Sequence, residues 1–215
     1  MVIARMGLLV FVALLLHAEP VSSQAILLYD NGDSDYVGGF EMTRFTVADD
    51  FEVYVSAEAS RGAFAMADLT CTFPANWDGH LRWWIFEDDG GIPGSTIATG
   101  YAPEVSVSLV WDNCPSAAHY SVQFKLGQMV SLSSGVRYWL ALRMALDWSS
   151  NDGLYWSSTQ QGGFSPGVSS QWGTDPWSTV GLEHSFRISL VGTDDYIFVD
   201  GFESGDTTVW MFTEP

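Results

Sequence analysis

Basic residues are scarce in this chain. Its 215 residues hold 8 Lys and Arg against 26 Asp and Glu, a net charge of −18, and Lys125 is the only lysine. That sign repels phosphate backbones and anionic lipid, so nucleic acid and membrane surfaces are excluded as ready partners. Cysteine is nearly absent as well, with Cys71 and Cys114 the whole complement. No Cys/His set has zinc spacing: His80, His119 and His184 are scattered, and no Asn-X-Ser/Thr sequon occurs. After Leu16 no apolar run reaches the roughly 18 residues that a membrane helix needs. A convincing 3.6-residue period is also missing beyond the N-terminus, which leaves little room for helices.

The first 23 residues read as a secretory signal. Arg5 supplies a positive n-region, Met6 to Leu16 is apolar, and Val21-Ser22-Ser23 ends in small residues suited to cleavage. Cleavage after Ala25 fits nearly as well. Removing Arg5 and Glu19 together leaves the charge unchanged. Two cysteines in an exported chain imply one disulfide, Cys71–Cys114, formed in an oxidising compartment. Closing a loop of about 44 residues contributes about 4 kcal/mol in the chain-entropy picture.

Leu81 to Gly94 shows the organisation most clearly. Leu81, Trp83 and Ile85 fall on one face of a strand, Arg82, Trp84 and Phe86 on the other. A strand apolar on both faces belongs in the middle of a sheet, and Asp89-Gly90 and Pro93-Gly94 supply the turns that end it. Period-2 alternation recurs at Phe51/Val53/Val55, Leu69/Cys71/Phe73, Val105/Val107/Leu109/Trp111, Tyr120/Val122/Phe124, Tyr138/Leu140/Leu142/Met144 and Phe186/Ile188/Leu190. Short strands of this kind, separated by Gly, Pro, Asp and Ser, predict an all-β, antiparallel β-sandwich of jelly-roll type over residues 24–192. Trp83 and Trp111 are expected in its core, and Trp84 and Trp139 on outer faces beside Arg82, Arg137 and Arg143.

Asp147 to Trp177 is different: it is rich in Ser, Gly, Gln and Trp, with only Leu154-Tyr155-Trp156 suggesting a strand. Residues 193–215 form an acidic tail, with no basic residue from Asp194 to Pro215 and a short strand-like piece at Tyr196 to Val199.

Several of these pieces carry a resemblance. Val47-Ala48-Asp49-Asp50-Phe51, Ile85 to Gly94, Ser134-Gly135-Val136-Arg137-Tyr138-Trp139 and Ser185 to Gly192 resemble motifs of a broad group of exported bacterial β-sandwich proteins. Members often carry C-terminal sorting or anchoring signals, and most have no assigned activity. The stretch Phe198-Val199-Asp200-Gly201-Phe202-Glu203-Ser204-Gly205-Asp206 with Trp210 is similar to a short tail on many exported Gram-negative proteins. The membrane helix and basic cluster of better understood sorting tails are not there. The resemblance implies secretion or surface display and a sorting or processing role for the tail.

Chemistry is harder to find. Gly163-Phe164-Ser165-Pro166-Gly167 spells the serine-hydrolase elbow, but Pro166 has no N–H to give an oxyanion hole. Carboxylates are plentiful without any pair marked as a glycosidase acid and base. Asp30, Asp33 and Asp35 around Gly32 offer the oxygen density calcium takes, although Asp and Asn are also ordinary turn residues. Asp49-Asp50 and Asp88-Asp89 are further acidic pairs. The aromatic-rich region supplies Trp148, Trp156, Trp172 and Trp177, whose faces suit sugar rings if they share an exposed surface and act as plugs if they do not. The sequence therefore points to an exported, non-catalytic binding module for polysaccharide or cell-surface components, without a required cofactor. A structural or adhesive protein acting through protein contacts is the second expectation, and a glycoside hydrolase the third. Deleting residues 201–215 is expected to leave the melting temperature of the sandwich unchanged. A drop of several degrees by calorimetry would place Phe202 and Trp210 against the domain.

Overall fold

The structure, a computed structural model, describes residues 25–191 except 162, 174 and 175. The signal and tail expectations lie outside the described residues. The chain forms β1 (Ala25–Asp30), β2 (Ser34–Glu41), β3 (Thr46–Glu52), β4 (Ala57–Asp68), β5 (Arg82–Asp88), β6 (Pro93–Tyr101) and β7 (Val105–Asn113). It continues as β8 (Ala117–Leu132), β9 (Arg137–Arg143), β10 (Leu154–Thr159), β11 (Val168–Ser170), β12 (Ser178–Thr179), β13 (Glu183–His184) and β14 (Phe186–Val191). No described residue is helical.

These strands make two antiparallel sheets that pack into a β-sandwich. The first sheet is built on β4, which pairs along its length with β8; β8 in turn pairs with β7. The other edge of β4 is shared between β14 and β10. β1 extends the sheet beyond β14, and β2 and β13 pair with β10. The second sheet runs β12-β11-β3-β9-β5-β6.

Alternation explains the core. Phe64 and Met66 of β4, Val122 and Phe124 of β8, Trp83 and Ile85 of β5, and Leu140 and Leu142 of β9 meet between the sheets. The second sheet is also buried on its far side. Every residue of β3 from Thr46 to Phe51 and of β9 from Tyr138 to Arg143 is buried. There Ala48, Trp84, Phe86, Trp139, Ala141 and Val168 form a second apolar cluster with Trp177 packed on it. Trp84 and Trp139 thus occupy the outer face as expected but are covered, because β11 and its flanks cross over them. Arg82 stacks on Trp84, its guanidinium 4.5 Å from the ring centre. Arg137 and Arg143 instead lie over Phe164 and Trp148.

Three expectations need correction. Trp111 is not in the core but 45% exposed: it stands opposite His119 after a register shift, and Leu109 and Val110 beside it are exposed too, so this end of β7 is covered on neither face. There it stacks on His119, ring centres 5.1 Å apart. Leu69, Cys71 and Phe73 do not extend a strand. Asp68 ends β4 by accepting the N–H groups of Thr70, Thr72 and Phe73, which draws the chain into a loop. Phe51 and Val53 are buried, whereas Val55, beyond the end of β3, is exposed.

Cys71 and Cys114 are bonded, with Cα atoms 6.0 Å apart. The disulfide ties the loop after β4 to the β7–β8 turn. Trp139 and Trp156 have no accessible surface. Truncating either to Ala is expected to cost about 3–5 kcal/mol in chemical denaturation, whereas Trp111→Ala should cost under about 1 kcal/mol.

Candidate functional site

Two of the four tryptophans singled out in the sequence come together at the surface. Trp148 and Trp172 stand with ring centres 5.7 Å apart, their planes inclined by 48°. They line an open hollow of about 620 Å³ with Arg44, Asp147, Ser149, Asn151 and Gln171. Trp172 is 57% exposed and Trp148 partly so. The other two do not join them. Trp156 is fully buried in the core, where its indole N–H donates to Ser185 O at 2.9 Å. Trp177 packs edge-on against Phe86 at 5.7 Å.

The hollow is held from beneath by Arg143, the last residue of β9. Its guanidinium is buried and donates to Thr43 O and Asp147 O, both at 2.6 Å, and to Ala145 O at 3.2 Å. The same group lies 3.9 Å from the centre of the Trp148 ring. One cation therefore fixes the turn that carries Trp148 and covers the inner face of its indole. On the rim, Asp147 accepts from Ser149 N at 2.8 Å. The Ser149 backbone and hydroxyl bonds, then Arg143, hold the Asp147 carboxyl below its usual range, so it is an anionic acceptor at neutral pH. Arg44, Asn151 and Gln171 complete a ring of donors and acceptors around two aromatic faces.

A second constellation lies at the start of the segment that brings Trp172 to the surface. Asp49 and Asp50 sit mid-strand in β3, fully buried and pointing to opposite faces. Asp49 accepts the His184 N–H in a short bond and lies 3.2 Å from His184 Nδ1, tying the two sheets together. Asp50 accepts from Phe164 N at 3.1 Å and Ser165 N at 3.3 Å. Glu183 accepts from Gly163 N at 2.8 Å. A Cβ on Gly163 would stand 2.6 Å from Glu183 Oε2 and 3.1 Å from Asp50 Oδ1, so only glycine allows both carboxylates this approach. Burial, reinforced by the charges of Asp49 and Asp50, raises the Glu183 pKa to about 7. Burial raises that of Asp50 as well, with Asp49 adding to it.

The Gly163–Gly167 motif is part of this arrangement and not a nucleophile elbow. Ser165 gives its N–H to Asp50 and its hydroxyl accepts from Arg137 at 3.4 Å. The acids around Gly32 are engaged by other side chains. Asp30 and Asp33 pair with Arg187 at 2.9 and 2.8 Å, and Asp35 accepts from the Ser158 hydroxyl at 2.8 Å. Among the described residues no group of three or more His, Cys, Asp or Glu is placed to hold a metal ion.

No protein-family description, curated protein or solved structure matches this chain. The site therefore stands on its own geometry. Arg44, Arg143, Glu183 and His184 carry no motif in the sequence. One signal was there to be used: Asp49-Asp50 places an acid on each face of a strand, between Val47-Ala48 and Phe51.

The sign of the pH dependence follows from Glu183. A carboxyl whose folded pKa lies near 7 contributes stability that is complete below its unfolded value near 4.5 and is lost as pH rises through about 7. Stability is expected to fall from about pH 5 to about pH 8 by on the order of 1 kcal/mol, solvent screening of this partly exposed carboxyl taking up the rest, and Glu183→Gln should flatten the profile. Scanning calorimetry across that range checks it.

Proposed function

We propose that the protein is an exported binding module, without catalysis of its own, that takes carbohydrate in the hollow between Trp148 and Trp172. The observation that carries this reading is the pairing of two accessible indoles inside a ring of Arg44, Asp147, Asn151 and Gln171. Sugar rings present apolar C–H faces that stack on indole, and hydroxyls that need alternating donors and acceptors. The hollow is open rather than enclosed, which suits a stretch of polymer more than a small molecule sealed from water. The excess of acid elsewhere on the surface disfavours polyanions, so neutral polysaccharide is the preferred class.

A second reading rests on a different observation. Among the described residues β7 pairs only with β8, and Leu109, Val110 and Trp111 near its end are exposed, as are Tyr36 and Val37 beside them. An uncovered strand edge with apolar neighbours suits protein contact, as an adhesive protein would need.

Retention on insoluble polysaccharide, paired with thermal melting, separates these readings. Trp148→Ala and Trp172→Ala should each weaken retention about fivefold to tenfold, on the scale of one aromatic contact, with little change in melting. Trp111→Ala should leave retention intact. If neither hollow variant changes retention, the carbohydrate reading is lost and the β7 edge becomes the better candidate.

A further inference from the structure

Arg61 and Lys125 stand directly opposite one another on β4 and β8. Both lie on the outer face of the first sheet, since Phe64, Val122 and Phe124 alternate with them toward the core. Like charges at opposed positions of a ladder repel. Lys125 is answered by Glu104 at 2.7 Å. Arg61 acts on that same carboxylate from further off and makes no hydrogen bond or ion pair of its own among the described residues. One carboxylate thus serves two cations, in a protein with a net charge of −18. Arg187, also on this face, is already held by Asp30 and Asp33.

Beside the two cations the sheet carries a groove. Ala63 and Ala65 of β4 and Ser121 of β8 floor it, Tyr36, Val110 and Arg187 wall it, and its volume is about 140 Å³. The floor is half-buried, whereas Tyr36 and Val110 are exposed. Short side chains let an overlying chain approach the sheet closely, and the apolar walls offer it surface to bury.

β14 brings the end of the domain to this place. It pairs with β4, Ser189 opposite Arg61 and Arg187 opposite Ala63, so Val191 lies two residues past the level of Arg61. The sequence continues Gly192-Thr193-Asp194-Asp195-Tyr196-Ile197-Phe198-Val199. That is a residue tolerant of reversal, two acids, then four residues of high strand propensity. Counted back along the sheet from Val191, Arg61 is about 7 Å away and Ala63 about 13 Å, each about 5 Å to the side. Three extended residues reach about 10 Å and five about 17 Å. The acids therefore arrive at the cations and the apolar run at the groove.

We propose that residues 194–199 fold back over the outer face of the first sheet of their own chain, Asp194 and Asp195 against Arg61 and Lys125, Tyr196 to Val199 in the groove over Ala63 and Ala65. The rest of the acidic tail then starts from a fixed point on that face. None of this rests on the carbohydrate reading.

Three lengths of the protein test it: the full chain, one stopped after Asp200 and one stopped after Thr193. The first two should melt together, and the third about 3–6 °C lower. Nuclear magnetic resonance of the two shortened chains should place their shift differences at Arg61, Ala63, Ala65 and Ser121. In the chain stopped after Asp200, Arg61→Glu should lower melting by about 2 °C or more, as should Asp194→Arg with Asp195→Arg, and the three changes together should recover at least about half of the loss. In the chain stopped after Thr193, Arg61→Glu removes only the repulsion from Lys125 and should not lower melting. Equal melting of all three lengths overturns the proposal, and so do shift differences confined to the end of β14. If the shortest chain does not fold, the charge exchange decides alone, and a triple variant without recovery sinks the idea. A dimer in sedimentation that is lost on stopping after Thr193 would place the segment on a second copy, against the proposal.

Discussion

Asp49 and Asp50 lie side by side in the middle of a strand with no exposed residue from Thr46 to Phe51, and much of the molecule is arranged around satisfying them. Carboxylates so deep in a sheet need donors, and neighbouring strands cannot supply them because their amides are already in the ladder. Asp49 draws His184 across from the other sheet. Asp50 draws the amides of Phe164 and Ser165 down over the outer face. Once those residues are drawn down, β11 can add to β3, Val168 and Trp177 can cover Trp84, Phe86 and Trp139, and Trp172 arrives beside Trp148. The apolar outer face of the sheet and the pairing of β11 with β12 then complete the path that those donors begin.

The parts of the fold legible in the sequence are those where one face is dry and the other wet. Burial then writes a period of two, as in Phe186 to Leu190, and that segment lies where the period puts it. Leu81 to Gly94 is legible for a related reason: apolar residues on both faces mark β5 as an interior strand, and it lies between β9 and β6. Trp111 shows where the method stops. Leu109, Val110 and Trp111 are exposed together at the end of β7, where the other sheet does not reach, and alternation in a strand says nothing of how far its partner sheet extends.

The site was half legible for a similar reason. Flat aromatic residues in a polar, glycine-rich stretch mark Asp147 to Trp177 as unusual, but their number says nothing of their partition. Trp156 belongs to a strand and follows its strand into the core, while Trp148 and Trp172 lie outside the strands. Arg143 holds the Trp148 turn from four residues away, but Asp50 lies 114 residues from the amide it holds. Contacts of that span leave no local pattern to read.

Arg143 beneath Trp148 has a further effect, on the electronic character of the surface offered to a ligand. An indole attracts cations through the negative charge concentrated on its two faces, and a guanidinium 3.9 Å from the ring centre already draws on that charge from below. The outer face keeps its breadth and its dispersion attraction but loses part of its pull on positive charge, while Arg44 and the anionic Asp147 stand together on the rim. An uncharged guest, which uses the breadth of the indole and not its pull on charge, loses least by this.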